Sequence, residues 1–109
     1  MKKLILIFIV LILAGCSYGK IAQKNNDLML KLSIGQSKED VLKLMGNPSR
    51  SEKYTLASKE TDIWFYRTNS FMSGGWDSDD YFTPVIFENG RLAGWGQDFY
   101  DQKMLNSRY

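Results

Sequence analysis

The rhythm of apolar and polar positions divides this chain into three stretches. Lys2 and Lys3 open the first, which continues as an unbroken apolar run from Leu4 to Leu13. From Asn25 to Met45 the apolar residues recur at helical spacing, and from Arg50 to Gly96 they alternate every second residue, as strands do.

Two helices are predicted in the second stretch. Asn25-Asn26-Asp27 offers an N-cap before Leu28-Met29-Leu30-Lys31-Leu32, where Leu28 and Leu32 stand four apart on one face, and Gly35 closes the element. Ser37 precedes Asp40 by three residues, close to a capping box. Val41, Leu42 and Met45 form the apolar stripe of that helix, with Lys38, Glu39 and Lys43 facing away. Gly46-Asn47-Pro48 stops it, glycine past the last turn and proline soon after.

Four strands follow. Ser51 to Ala57 reads as an edge strand, with Tyr54 and Leu56 on one side. Ile63 to Thr68 is bulky on both faces, as expected of a strand covered on both sides or placed centrally, and places Trp64, Phe65 and Tyr66 in the core. Thr83 to Glu88 and Arg91 to Gly96 flank Asn89-Gly90, the pair that a type I′ hairpin turn favours because both positions need positive φ. That register sets Glu88 opposite Arg91 and Phe87 opposite Leu92. Val85, Phe87 and Leu92 then face the core, with Ile86, Ala93 and Trp95 on the other side. Pro84 belongs at a strand start or edge. The tail from Asp98 to Tyr109 is compatible with a short helix or strand packing back.

The first stretch has the form of an export signal: basic start, about ten apolar residues, small residues at the cut site. Leu13-Ala14-Gly15-Cys16 resembles the lipobox of bacterial lipoproteins. The resemblance implies cleavage between Gly15 and Cys16, diacylglycerol on the Cys16 thiol and acylation of the new amino terminus. A spanning helix needs about 20 apolar residues, twice what this run supplies. The organisation expected is a signal peptide over residues 1–15, a lipidated tether over 16–24 and one α+β domain over 25–109, held to membrane lipid through Cys16. Acyl chains of this kind hold a protein firmly only in combination.

Composition narrows the chemistry. Lys2 and Lys3 account for the excess of 14 basic over 12 acidic residues, so the mature domain is balanced. Balance argues against a nucleic-acid partner and against polybasic attachment to anionic lipid. Cys16 is the single cysteine and histidine is absent, which removes disulfides, Ser-His-Asp and Cys-His catalysis, and zinc held by imidazole or thiolate. Asp77, Asp79 and Asp80 do not complete a calcium loop, because Tyr81 takes the third ligand position and no glycine follows it. With no nucleophile-base motif, the expectation is a protein that is not an enzyme and needs no cofactor or metal.

In order, Leu32-x-x-Gly35-x-Ser37-x-x-Asp40-Val41-x-x-Leu44-Met45-Gly46-x-Pro48, then Trp64-x-Tyr66, then Val85-Ile86-Phe87-x-Asn89-Gly90-x-Leu92 resemble the SmpA/OmlA (BamE-like) family of small outer-membrane lipoproteins. Phe65 to Thr68 and Thr83 to Gly96 look closer to an uncharacterised lipoprotein branch. The resemblance implies two N-terminal helices packed on a small antiparallel sheet of three or four strands, an arrangement similar also to the β-lactamase-inhibitor-like fold. It implies non-enzymatic interaction or assembly work with envelope proteins at the outer membrane, facing the periplasm. Ser17 after the cysteine, rather than aspartate, fits that sorting. The alternative is a binding or inhibitory module for a soluble protein or small ligand.

Asn69 to Phe82 is long for a connection in so small a domain. It carries Phe71, Trp76, Tyr81 and Phe82 around Gly74-Gly75 and Asp77-Ser78-Asp79-Asp80. Together with Trp95 these aromatics are the candidate partner-binding residues; folded back, they would instead complete the core.

Overall fold

The computed structural model describes residues 20–69 and 81–106. The lipobox with Cys16, Phe71, Trp76 and the acidic run at 77–80 lie outside them. Helix α1 occupies residues 20–29, followed by α2 (Lys38–Met45), β1 (Arg50–Leu56), β2 (Lys59–Arg67), β3 (Phe82–Glu88), β4 (Arg91–Trp95) and α3 (Gln97–Asn106). The strands form one antiparallel sheet in the order β1-β2-β3-β4. The fold is α+β, two N-terminal helices against a four-stranded antiparallel sheet, with a third helix behind it.

Because side chains alternate along a strand, each face of the sheet builds its own core. On one face Tyr66, Val85, Phe87 and Leu92 cluster with Met29, Leu32, Val41 and Met45, and Trp64 packs against them. On the other, Ile63, Phe65 and Ile86 meet Phe99, Tyr100 and Met104 of α3. This is why both faces of β2 are bulky: it lies between helices on either side.

The capping box of α2 forms as expected, with the Asp40 N–H donating to Ser37 Oγ (3.1 Å) and the Ser37 N–H to the Asp40 carboxylate (3.4 Å). Two side chains of that helix depart from the sequence reading. Leu42 is 41% exposed; it lies about 100° round the helix from Val41, while Leu44, about 60° the other way, packs on the core. Lys38 turns toward the sheet and pairs with Asp62. The Tyr66 hydroxyl donates to the Gly46 carbonyl (2.8 Å), tying the end of α2 to β2, and burial pushes its pKa up to about 12.

The α1 helix corrects a second expectation. Asn25 and Asn26 are interior to it, not its cap, and the helix takes in residues 20–24 of the expected tether, with Ala22 buried. The Asn25 amide donates to the Arg67 carbonyl (2.9 Å) and the Asn26 amide to the Thr68 carbonyl (2.8 Å). Both carbonyls lie where β2 runs out, so the two amides supply donors that secondary structure no longer provides there.

Both hairpin turns use positive φ. Asn89 (50°) and Gly90 (82°) close β3 and β4 as the sequence predicts, with Glu88 opposite Arg91 and Phe87 opposite Leu92. Beyond that the register shifts: Ile86 pairs with Gly94, so Ala93 is an extra residue in β4. A slip of one residue exchanges the faces of a strand. Trp95 therefore stands opposite Val85 and joins the helix-side core, not the side of Ile86. Pro84 sits third in an interior strand. Its carbonyl accepts from the Gly96 N–H (2.9 Å), so its own nitrogen faces the point where β4 has ended, and no ladder bond is lost.

The β1-β2 turn is Ala57-Ser58, with φ of 51° and 65° and no glycine or asparagine to accept them. Ala57→Asn combined with Ser58→Gly relieves this strain and raises stability by about 1 kcal/mol, or about 5 °C in Tm for a domain of this size. A thermal melt that does not rise would show the turn to be unstrained.

Candidate interaction surface

A four-stranded meander has two edges, and this chain treats them differently. At β4 the segment before α2 lies alongside: Gly35 N–H donates to the Leu92 carbonyl (2.8 Å), Leu92 N–H to the Gln36 carbonyl (2.7 Å), and Ser37 bridges Arg91. No comparable segment among the described residues lies along β1. A two-residue turn makes Leu56 and Lys59 a pair bonded both ways. Stepping back by two, Tyr54, Glu52 and Arg50 bond toward β2, so the backbone groups of Ser51, Lys53 and Thr55 point outward from the sheet.

Side chains frame that edge on both faces. On the helix side a groove of about 260 Å³ is lined by Lys38, Lys53, Tyr54, Thr55, Glu60, Thr61 and Asp62. Asp62 is buried and pairs with Lys38 of α2; Lys53 stands 4.0 Å away with its side chain 86% exposed. The pair with Lys38 consumes most of the carboxylate, leaving the Lys53 ammonium largely for solvent or a ligand. On the α3 side the Arg50 guanidinium lies 4.1 Å over the Phe65 ring, and Tyr54 donates to Glu52 (2.5 Å). That hydrogen bond, with desolvation and the Glu52 charge behind it, pushes the Tyr54 phenol up to about 12. A row of backbone donors and acceptors that no described segment pairs, beside an exposed ammonium, suits an extended segment that carries an acid.

Of the aromatic residues predicted to bind a partner, Phe71 and Trp76 lie outside the described residues, and the other three, Tyr81, Phe82 and Trp95, are not gathered on one surface. Tyr81 is buried, with the Arg67 guanidinium 5.6 Å from its ring. Phe82 packs against the α3-side core and Trp95 against the helix-side core, on opposite faces of the sheet. Tyr81 is buried, and Phe82 and Trp95 are half-buried. Lys38, Lys53 and Asp62 were missed in their place, because nothing local marks a charge in Thr61-Asp62-Ile63 as paired with residues from two other elements. Among the described residues no three acidic, histidine or cysteine side chains gather as a metal site would need, and no helix is long and apolar enough to cross a membrane.

A second charged group ties α3 down. Glu88 accepts from Lys103 (2.5 Å) and Lys59 (3.2 Å). The Lys103 hydrogen bond, with that of Lys59 and against the opposing effect of burial, holds its carboxyl below the usual 4.5. A depressed carboxylate contributes stability above the unfolded pKa and loses it as pH falls through the folded one. Glu88→Gln therefore costs about 1 kcal/mol at neutral pH, and its melting curve converges with that of the native chain below pH 4.5. A gap that persists in acid would assign the loss to packing.

The chain matches no curated protein and no solved structure. Residues 14–102 match the family described as Protein of unknown function (DUF3192), and the chain belongs to that family.

Proposed function

We propose that this chain is a lipid-anchored cell-envelope lipoprotein, a non-enzymatic interaction module at the outer membrane that faces the periplasm and holds an extended segment of an envelope protein along β1. The observation that carries the reading is Leu13-Ala14-Gly15-Cys16 placed four residues before the described start of α1. Four residues of chain reach about 15 Å at most, so an acylated Cys16 keeps the folded domain at the bilayer surface. The family match takes in Ala14, Gly15 and Cys16 along with the domain, which supports treating them as one unit. The ordered resemblance to SmpA/OmlA lipoproteins points the same way.

The test is Cys16→Ser with labelled palmitate and fractionation of the envelope. The native chain takes up label and sediments with outer membrane, while the variant stays folded, takes up none and is released. Label on the variant, or none on the native chain, would overturn the reading.

A further inference from the structure

The balanced charge of the mature chain conceals a segregation that the fold brings out. Ala22, Asn25 and Met29 mark the buried side of α1. At about 100° per residue, Lys20, Lys24 and Asp27 line the opposite side, and Lys31 follows just past the helix end. All four are exposed, and none of the three lysines has an ion-pair partner among the described residues. At the same end of the helix stand Leu30, 87% exposed, and Ile34, 65% exposed, the two most exposed large apolar residues described. Across the sheet, α3 begins with the exposed acids Asp98 and Asp101.

We propose that the outward face of α1 lies on an anionic bilayer, with Lys20, Lys24 and Lys31 against lipid phosphates and Leu30 and Ile34 at the acyl boundary. The inference rests on the lipid anchor at Cys16 and adds an orientation to it. The anchor emerges within about 15 Å of Lys20, so the first turn of α1 meets headgroups whatever else happens. The helix spans about 15 Å, which carries Leu30 along the same surface when it lies flat. Lysines that reach to phosphate beside aliphatic side chains that enter the apolar boundary are the pattern of interfacial helices. A second copy is a poor occupant of this face, since the lysine stripes would oppose each other. The sheet then separates the bilayer from α3.

The experiment uses the full, lipidated chain in vesicles. With Cys16 acylated, Leu30→Cys carries the one free thiol and takes an environment-sensitive dye; Leu105→Cys on α3, 59% exposed in the native chain, is the control. In vesicles of phosphatidylglycerol and phosphatidylethanolamine, quenching of the Leu30 dye by bromine-labelled lipid is expected to exceed that in phosphatidylcholine by roughly twofold or more. Added salt or replacement of Lys20, Lys24 and Lys31 by glutamine should remove the difference, while the Leu105 dye stays unquenched. Equal quenching at both positions, or none at Leu30 in vesicles that carry the protein, overturns the docking while leaving the anchor intact. Shielding of Leu30 without vesicles that grows with protein concentration assigns the face to a second copy, and shielding only on adding envelope protein assigns it to a protein partner; either overturns the proposal. If the chain does not float with vesicles at all, the anchor fails and the docking falls with it.

Discussion

Phe87→Ala lowers the stability of the domain by about 3–5 kcal/mol, the usual range for deleting a buried aromatic ring. Phe87 is fully buried in the interior strand β3, in the cluster that joins the sheet to α1 and α2. Its ring meets Trp64 at 4.6 Å between centroids, tilted by 58°, and such pairs add about 0.5–1.5 kcal/mol beyond burial. One wall of the resulting cavity is the sheet, whose interior strands β2 and β3 are bonded on both sides and cannot close around it; the other is formed by Met29, Leu32, Val41 and Met45. A domain of this size holds about 5–15 kcal/mol in total, so the variant approaches the edge of folding. With a urea slope of about 1 kcal/mol per molar, the midpoint moves by about 3 M or more. Leu42→Ala provides the contrast: the side chain is exposed at the surface, outside the buried clusters, and its loss stays within about 0.5 kcal/mol. A midpoint shift below about 1 M for Phe87→Ala would mean that the helices do not pack on this face.

That contrast also separates what was legible from what was not. The features read correctly have their causes within a few residues. Ser37 and Asp40 cap α2 by contacts three positions apart, and Asn89-Gly90 supplies its own positive φ. The features missed have causes that are distant in the chain. Asn25 and Asn26 look like a cap by residue type, yet the carbonyls that engage their amides lie 42 residues on. Ala57-Ser58 carries no turn signature and is held in positive φ by the pairing of β1 with β2. The extra residue at Ala93 shows no local sign either; the shift it introduces sends Trp95 to the helix side.

The candidate surface divides in the same way. That residues 51–57 form an edge was legible, because a polar strand with one short apolar side cannot be interior. That Lys38, Lys53 and Asp62 meet beside it was not, since one comes from a helix and the others from two strands. At the aromatic connection the strand boundary, not residue type, decides where the rings go. Tyr81 and Phe82 were read as part of a loop, but Phe82 opens β3 and Tyr81 precedes it from a buried position. Large rings at a loop-strand boundary are as consistent with core as with recognition until the strand's start is known.

Gly94→Val is expected to free α3 from the sheet at a cost of about 2–3 kcal/mol, as overpacking does when the neighbour cannot give way. A Cβ at Gly94 would come within 2.8 Å of three atoms of the Phe99 ring, Cε1, Cε2 and Cζ. Phe99 lies in the first turn of α3, where the Tyr100 N–H is already bonded to the Gly96 carbonyl (3.1 Å), so the ring yields only by giving up its packing on Ile63, Phe65 and Ile86 or by moving the helix. The helix has little to resist with: none of its residues is fully buried, and it is held by Phe99, Tyr100, Met104 and the Lys103–Glu88 pair. The extra residue at Ala93 is what brings Gly94 under this ring, opposite Ile86. Amide exchange measures the result directly. Protection over residues 97–106 is lost in Gly94→Val, while that of β2 and β3 falls only by the global amount. Cutting the ring away removes the clash, so Gly94→Ala combined with Phe99→Ala costs less than the sum of the two single changes. Strict additivity in that cycle, with α3 still protected in the valine variant, would place Phe99 elsewhere than over Gly94.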